Sequence, residues 1–393
     1  MQLRHLELLD VRSYERASLD LPDGVTVLIG PNAQGKTNLL EAIQRVATGG
    51  SHRVAGDVPL VRVGAQLGVI RCELETDSGR RRRLEVELGA GRRTRTRVDG
   101  QDVRRASEAV GVLRVVLFAP EDLRIVRGDP ADRRRFLDDL LSQRRPAFAA
   151  ARADYDRALR QRNRLLKRAR HLTGAASSAS EATIAAWTEQ LVTLGSQLLA
   201  ARVAAVRTLA GPVDRCYRQL ADRPEPVGVR YRSSAGARVD ELLDDGDATL
   251  VPAVAPLAAA LHAAYGEVGA EERARGVTLV GPHRDDMELT IGALPARGYA
   301  SHGEAWSLAL ALKLGTFEVL AEVGDRPVVL LDDVFAELDT TRRQHLAAAC
   351  ARFDQVLVSA AVEEDVPLAG HRIDVRIADG ISHLIPRLAR DAS

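Results

Sequence analysis

Cysteine is scarce in this chain of 393 residues: Cys72, Cys216 and Cys350 are scattered and odd in number. That excludes a disulfide framework and a zinc cluster. No apolar run approaches the roughly 18–20 residues needed to cross a bilayer. The opening segment, Met1-Gln2-Leu3-Arg4-His5-Leu6-Glu7, is too charged for a secretory signal. A cytoplasmic protein with no membrane partner is the expectation. Lysine is rarer still, at Lys36, Lys167 and Lys313, so 52 of the 55 basic residues are arginine, a bias typical of a GC-rich genome. Aromatic residues make up 4% of the chain and are not interleaved with its arginine clusters, which argues against base stacking. The net charge is +1, so a polyanion would have to be met by local patches.

What is present is a globular composition, 46% hydrophobic and 28% charged, in a length suited to two or three domains. Val25-Thr26-Val27-Leu28-Ile29, closed by Gly30, reads as a buried strand. Leu39, Leu40, Ile43 and Val46 then fall at helical spacing, predicting a helix over 36–47. Residues 60–118 read as strands and hairpins, with Arg80 to Arg83 and Arg92, Arg93, Arg95 and Arg97 flanking a Gly89-Ala90-Gly91 turn, and Val115 to Phe118 as the next buried strand.

From Asp129-Pro130, an N-cap followed by proline, the period becomes helical. Phe148, Ala151, Tyr155, Ala158, Arg162, Leu165 and Ala169 form one stripe, broken by the charge of Arg162. Residues 173–180 read as a flexible turn. A second stripe runs through Ile184, Trp187, Leu191, Leu194, Leu198, Ala201 and Ala205. The pair predicts a short antiparallel helical hairpin, about 147–210. Residues 222–250 read as a loop or junction, and sheet patterning returns at Val277–Val280, Val328–Leu331 and Val356–Val358. The expected fold is α/β: a P-loop ATPase head assembled from both chain ends (1–125 and 271–393), with an inserted helical lobe (126–270) carrying the hairpin.

Gly30-Pro31-Asn32-Ala33-Gln34-Gly35-Lys36-Thr37 fits G-x-x-x-x-G-K-[ST], between a predicted strand and a predicted helix. The glycines let backbone N–H groups and the helix start face phosphate charge. Lys36 is expected on the β- and γ-phosphates, Thr37 on Mg²⁺, and Asn38 beside them. Val328-Val329-Leu330-Leu331-Asp332-Asp333 supplies an apolar strand ending in two carboxylates. Asp332 is the expected second metal ligand and Asp333 the base that activates water. A cation is called for, because two acids at the end of a buried strand are costly without one. No N/T-K-x-D element accompanies the motifs, which favours ATP over GTP.

Ser301-His302-Gly303-Glu304 precedes an apolar helix and resembles the core of the ABC-type signature, with His302 where glycine is usual. Ser301, Gly303 and Glu304 would then serve the ATP of a second subunit, Ser301 as a catalytic γ-phosphate ligand, and Asp339 in Glu337-Leu338-Asp339 would lie across the dimer. Val356-Leu357-Val358-Ser359-Ala360-Ala361 carries no switch histidine, and Phe118-Ala119-Pro120-Glu121-Asp122 carries no glutamine. Slow hydrolysis is consistent with both.

Together with Arg12-Ser13-Tyr14, Gly50-Ser51-His52-Arg53, Ala119-Pro120-Glu121-Asp122-Leu123, Gly128-Asp129-Pro130, Arg133-Arg134-Arg135-Phe136-Leu137-Asp138 and Gly281-Pro282-His283-Arg284-Asp285-Asp286, these motifs resemble the RecF family of SMC-like ABC-type ATPases. The resemblance spans nearly the whole chain. It implies a weak ATPase whose ATP-dependent homodimer holds DNA at single-strand gaps and junctions. With RecO and RecR it would help load RecA, in gap repair, replication restart and the SOS response. It also implies that Arg12 helps hold phosphates. Three patches are candidates for the DNA: Arg80 to Arg83, Arg92 to Arg97, and the helix bearing Arg160, Arg162, Arg164, Lys167, Arg168 and Arg170. Two other readings are an ATP-switched module that recruits proteins without gripping DNA, and a transporter motor, which would need a membrane partner.

Overall fold

The structure is a computed structural model, and it describes residues 1–170, 175–221, 225–244 and 251–387. Its centre is a six-stranded sheet with the spatial order Ile381–Pro386, His371–Ala378, Gly24–Ile29, Gln355–Ala360, Val328–Asp332 and Val115–Phe118. All neighbours but the first pair are parallel. The strands come from both ends of the chain, as expected.

Strand polarity explains why the segments at 24–29, 115–118, 328–332 and 355–360 read as apolar runs, unlike the antiparallel pair His371–Ala378 and Ile381–Pro386. In a parallel sheet covered on both faces, each strand buries every side chain, alternating between two cores. Val329 and Leu331 point into one core while Val328 and Leu330 point into the other, and Val116 and Phe118 divide from Val115 and Leu117 in the same way. The first core is filled by helices, chiefly His302–Ala321 and Ala175–Leu220. The second holds the phosphate-loop helix Lys36–Thr48 and an antiparallel sheet running from Gln2–Val11 and Tyr14–Asp20 through Leu67–Glu75 and Arg81–Gly89 to Arg95–Val98 and Gln101–Asp102.

The hairpin consists of a first arm helix, Pro146–Ala169, and a second, Ala175–Leu220. Tyr155 lies against Gly195 and Arg162 against Thr188, so the two run antiparallel. The second helix is longer than its apolar stripe suggested: its distal part continues through Pro212 and packs on the helix His302–Ala321, where Gly315 faces Val213 and Pro212. No helix among the described residues is long and apolar enough to cross a membrane.

Four readings need correction. Within 173–180, expected as a turn, the second helix already begins at Ala175, and residues 173–174 lie outside the described residues. Within 222–250, Val227–Arg232 is a strand antiparallel to Asp286–Ile291, and Ala237–Asp244 is a helix; residues 222–224 and 245–250 are not described. The period-two burial of Val227, Val229 and Tyr231 was hidden beside Pro224, Pro226 and the acidic run. Val277–Val280 is not a strand. Its backbone is held by side chains instead, the Thr278 N–H donating to Asn163 and the Leu279 N–H to Glu272.

Arg162, finally, interrupts no stripe and is not an exposed DNA candidate. It is buried, donating to Glu272 at 2.6 Å, to Thr278 and to Thr188. Both charges are desolvated and paired, so losing one partner strands the other. Arg162→Met is expected to lower stability by about 3–5 kcal/mol, and adding Glu272→Met to recover most of it. Urea unfolding midpoints of the two variants check this; equal losses in both would be the contrary result.

Candidate functional site

The phosphate loop connects the end of strand Gly24–Ile29 to helix Lys36–Thr48, and crowding dictates its glycines. A Cβ on Gly30 would come within 2.2 Å of the Val375 carbonyl oxygen. Gly35 has φ +107, and a Cβ there would meet Ser382 Oγ at 2.5 Å and Ser13 Oγ at 2.9 Å. Ala33 also sits at positive φ.

Three serines brace the site, two of them at the loop itself. Ser382 Oγ donates to the Gln34 carbonyl at 2.7 Å and shares a hydrogen bond with the Ser13 hydroxyl, while Ser13 Oγ accepts from Asn38 Nδ2 at 2.9 Å. The Gln34 side chain accepts from the Ile377 N–H. Tyr14, fully buried, donates its hydroxyl to the Gly35 carbonyl. The third serine, Ser359, lies directly opposite Asp332 in the parallel sheet.

Asp332 ends its strand buried, and its Oδ1 accepts from Thr37 Oγ1 at 2.9 Å and from Ser359 Oγ at 2.6 Å. Burial raises its carboxyl above the ordinary range despite these two hydrogen bonds. The next residue, Asp333, takes φ +54, and its N–H donates to the Ser359 carbonyl and hydroxyl. A non-glycine residue at positive φ stores strain of the kind that collects at functional sites. Lys36 is buried and donates to the carbonyls of Gly30 and Pro31 at 2.5 and 2.9 Å. Desolvation lowers its pKa, opposed by Asp333 and Asp332.

Asn32, Ala33, Gly35, Lys36, Thr37, Asn38, Arg53 and Asp333 line a cleft of about 500 Å³. Magnesium takes oxygen ligands, commonly one or two carboxylates with substrate phosphates, and no dedicated protein cage. The residues fit that habit: a buried carboxylate that no lysine or arginine pairs among the described residues, one hydroxyl on it from the phosphate loop, and no cluster of three or more metal-ligating acids, histidines or cysteines among the described residues.

Not every expected ligand lies in the cleft. Arg12 is held away by a bidentate pair with the fully buried Glu41, at 2.9 and 2.8 Å, and Arg53 takes a place on the wall instead. Burial alone would raise the Glu41 carboxyl, but hydrogen bonds from Arg12 and Ser51 outweigh it and hold it low. Ser301 also stands apart from the cleft. It caps the helix His302–Ala321 through a reciprocal box, its Oγ accepting from the Glu304 N–H and its N–H donating to the Glu304 carboxylate. Asp339 caps the next helix, Thr340–Cys350. Arg342 joins the two exposed caps: it lies against Gly303, donates to Ser307 and pairs with Asp339. Sequence reasoning missed Glu41, Arg53, Arg342, Ser359 and Ser382. The signals for them were the placing of Arg53 in a family string and of Ser359 in the segment that lacks a switch histidine.

The remaining strings meet one another. Arg133 forms a bidentate pair with Asp286, Arg134 donates to the Asp285 carbonyl, and Asp138 receives both nitrogens of Arg202, which also donates to the Pro282 carbonyl.

The chain matches the family of RecF/RecN/SMC N terminal domains over residues 2–383. It is 50% identical over 381 residues to a "DNA replication and repair protein RecF" of Kineococcus radiotolerans, covering 94% of this chain and 95% of that one. A protein of the same description from Streptomyces avermitilis is 47% identical, with 95% and 98% covered. Among solved structures, the "recombination mediator protein RecF-ATPrS in RecFOR pathway" superposes with a TM-score of 0.85 at 26% identity, covering 98% of each chain. The contact at Gly35 sets a direct test. Gly35→Ala is expected to abolish binding of a fluorescent ATP analogue, since the new Cβ strains the backbone and displaces Ser382. An unchanged titration would show that the loop tolerates the displacement.

Proposed function

The chain belongs to the RecF family of SMC-like ABC-type ATPases, and from that membership we propose that it is an ATP-binding DNA replication and repair protein whose nucleotide-bound form pairs two copies on DNA. One observation carries the reading. Thr37 of the phosphate loop and Asp332 of the distant strand, 295 residues apart, share a hydrogen bond beside a cleft lined by Lys36, Thr37 and Asp333. Residues 1–125 and 271–393 make the ATPase domain in this reading, and 126–270 the lobe.

The backbone from Gly30 to Thr37 wraps the phosphates. Lys36 exchanges the carbonyls of Gly30 and Pro31 for β- and γ-phosphate oxygens, and anionic charge there offsets the burial that lowers its pKa. Arg12 reaches the phosphates on exchanging Glu41 for them. Thr37 and Asp332 hold the Mg²⁺, which when bound neutralises charge developing on the transferred phosphoryl group. Asp333 takes a proton from the attacking water as its oxygen bonds to the γ-phosphorus and the bridging oxygen leaves with ADP. Ser301, Gly303, Glu304 and Asp339 are exposed or half-exposed and off their own cleft, so they complete the site of a second copy. Hydrolysis then separates the copies. The dimer acts at gaps and single-strand/duplex junctions in the cytoplasm, with RecO and RecR, to load RecA, as the family resemblance implies.

Sedimentation velocity tests the cycle. ATP with magnesium is expected to give a dimer, ADP or no nucleotide a monomer, and Ser301→Arg a monomer throughout. Asp333→Asn is expected to keep the ATP-bound dimer while turnover falls by about 100-fold or more. Lys36→Arg is expected to weaken ATP binding or turnover. A wild-type protein that stays single on gapped DNA with ATP would overturn the dimer. A gel shift of the protein alone on gapped duplex separates DNA gripping from mere recruitment of partners.

A further inference from the structure

The three arginine patches that the sequence presents as equals differ in the structure by what neutralises them. Around the turn after Gly89, the exposed side chains of Arg92, Arg93, Arg95 and Arg104 line a groove of about 760 Å³. Two acids share its wall, Glu87 and Asp102, but Arg97 occupies both, at 2.7 and 2.9 Å. The four groove arginines have no carboxylate partner among the described residues, so the groove carries their charge uncompensated. A groove with no aromatic residue in its lining suits phosphates and offers nothing for an unpaired base to stack on.

This groove adjoins the arm. Arg105, next to Arg104, pairs with Asp154 on the first arm helix at 3.3 Å. Beyond Asp154, that helix buries Tyr155, Ala158, Arg162 and Leu166 and exposes Arg160, Arg164 and Arg168 on the opposite face. These three follow a four-residue spacing, about 6 Å per step along the helix, and make no ion pair among the described residues, Asp156 one turn before Arg160 being paired with Arg152. The Arg80–Arg83 patch is different in place and in charge. The register from Leu67↔Gly89 to Glu75↔Arg81 puts it at the far end of the same strands, with about 14 Å of strand between Arg83 and Glu87 of the groove wall. There Asp99 binds Arg82 at 2.7 Å and Arg80 at 4.0 Å. Arg81 and Arg83 make no ion pair among the described residues, but four carboxylates, Asp20, Glu73, Glu75 and Asp99, share this wall, Asp20 and Glu75 being held by His5 and Arg4.

We propose that Arg92, Arg93, Arg95 and Arg104, continued by Arg160, Arg164 and Arg168 of the arm, form one phosphate-binding track for duplex DNA, and that the Arg80–Arg83 end lies outside it. The track rests on the DNA-binding reading above and names its surface. A hydrogen bond from Thr94 to Asp57, which is itself paired with Arg45 of the phosphate-loop helix, fixes the groove to the nucleotide-binding element.

Fluorescence anisotropy on a gapped duplex with ATP, read across a salt series, tests the assignment. Each arginine that meets a phosphate contributes about one unit to the slope of log affinity against log salt. The triple variants Arg92→Ala/Arg93→Ala/Arg95→Ala and Arg160→Ala/Arg164→Ala/Arg168→Ala are each expected to lower the slope by about 2–3 and weaken binding on the order of 10-fold or more. Arg81→Ala/Arg83→Ala is expected to stay within about twofold of wild type, and all three variants to bind ATP normally, which shows that they fold. Wild-type affinity in both triple variants, or an equal loss in Arg81→Ala/Arg83→Ala, would overturn the track while leaving DNA binding intact. Losses confined to a single-stranded probe would overturn the duplex assignment. Wild-type protein that retards no DNA would overturn the DNA reading itself, and the track with it.

Discussion

Everything at the nucleotide site hangs on one buried carboxylate. Asp332 sits where the central strand emerges, and the two hydroxyls that reach it come from opposite ends of the chain, Thr37 from the phosphate loop and Ser359 from the neighbouring strand. Burying an acid without a compensating cation is unfavourable, and its raised pKa expresses that cost. The surrounding parallel sheet supplies the rigidity that keeps the acid there, with strands buried on both faces. The same edge carries the strained backbone of Asp333, so the two acids are held in different conformations by the same serine.

A second constraint governs the lobe. Arg133, Arg134, Asp138, Arg202, Asp285 and Asp286 form a dense buried network, with Tyr231 and Ser234 donating to Asp285. The network joins the helix Pro130–Arg144 to the second arm helix and to the strand Asp286–Ile291. Close by, Arg127 donates to the Ala300 carbonyl, immediately before Ser301, and Arg297 pairs with Asp129. The arm and Ser301 are thereby attached to one framework. Paired buried ions of this kind add little net stability over apolar packing, but they penalise any other arrangement of the pieces.

The phosphate loop and the paired acids were legible because their chemistry is written in contiguous residues. Four of the six central strands were legible because burial on both faces leaves an apolar run; His371–Ala378 and Ile381–Pro386, exposed along part of their length, were not. Val277–Val280 shows the limit of that rule, since an apolar run reports burial and is silent about whether a strand or a side chain takes the backbone hydrogen bonds. Ser359 and Ser382 could not be singled out, because nothing distinguishes a bracing serine until its neighbour in space is known. Arg162 was misjudged for the same reason: its partner, Glu272, stands 110 residues further along. Arg12 was placed by resemblance on the phosphates, whereas here it is committed to Glu41.

The split construction of the central sheet bears on how the molecule is made. Among the described residues, strand Gly24–Ile29 finds its hydrogen-bonding neighbours only in Gln355–Ala360 and His371–Ala378, and Thr37 waits 295 residues for Asp332. At about 5–20 residues per second, a ribosome needs roughly 15–60 s to supply the missing partners. Throughout that interval the nascent amino-terminal half displays an unpaired, strongly apolar strand to solvent, an invitation to chaperones and a hazard for aggregation.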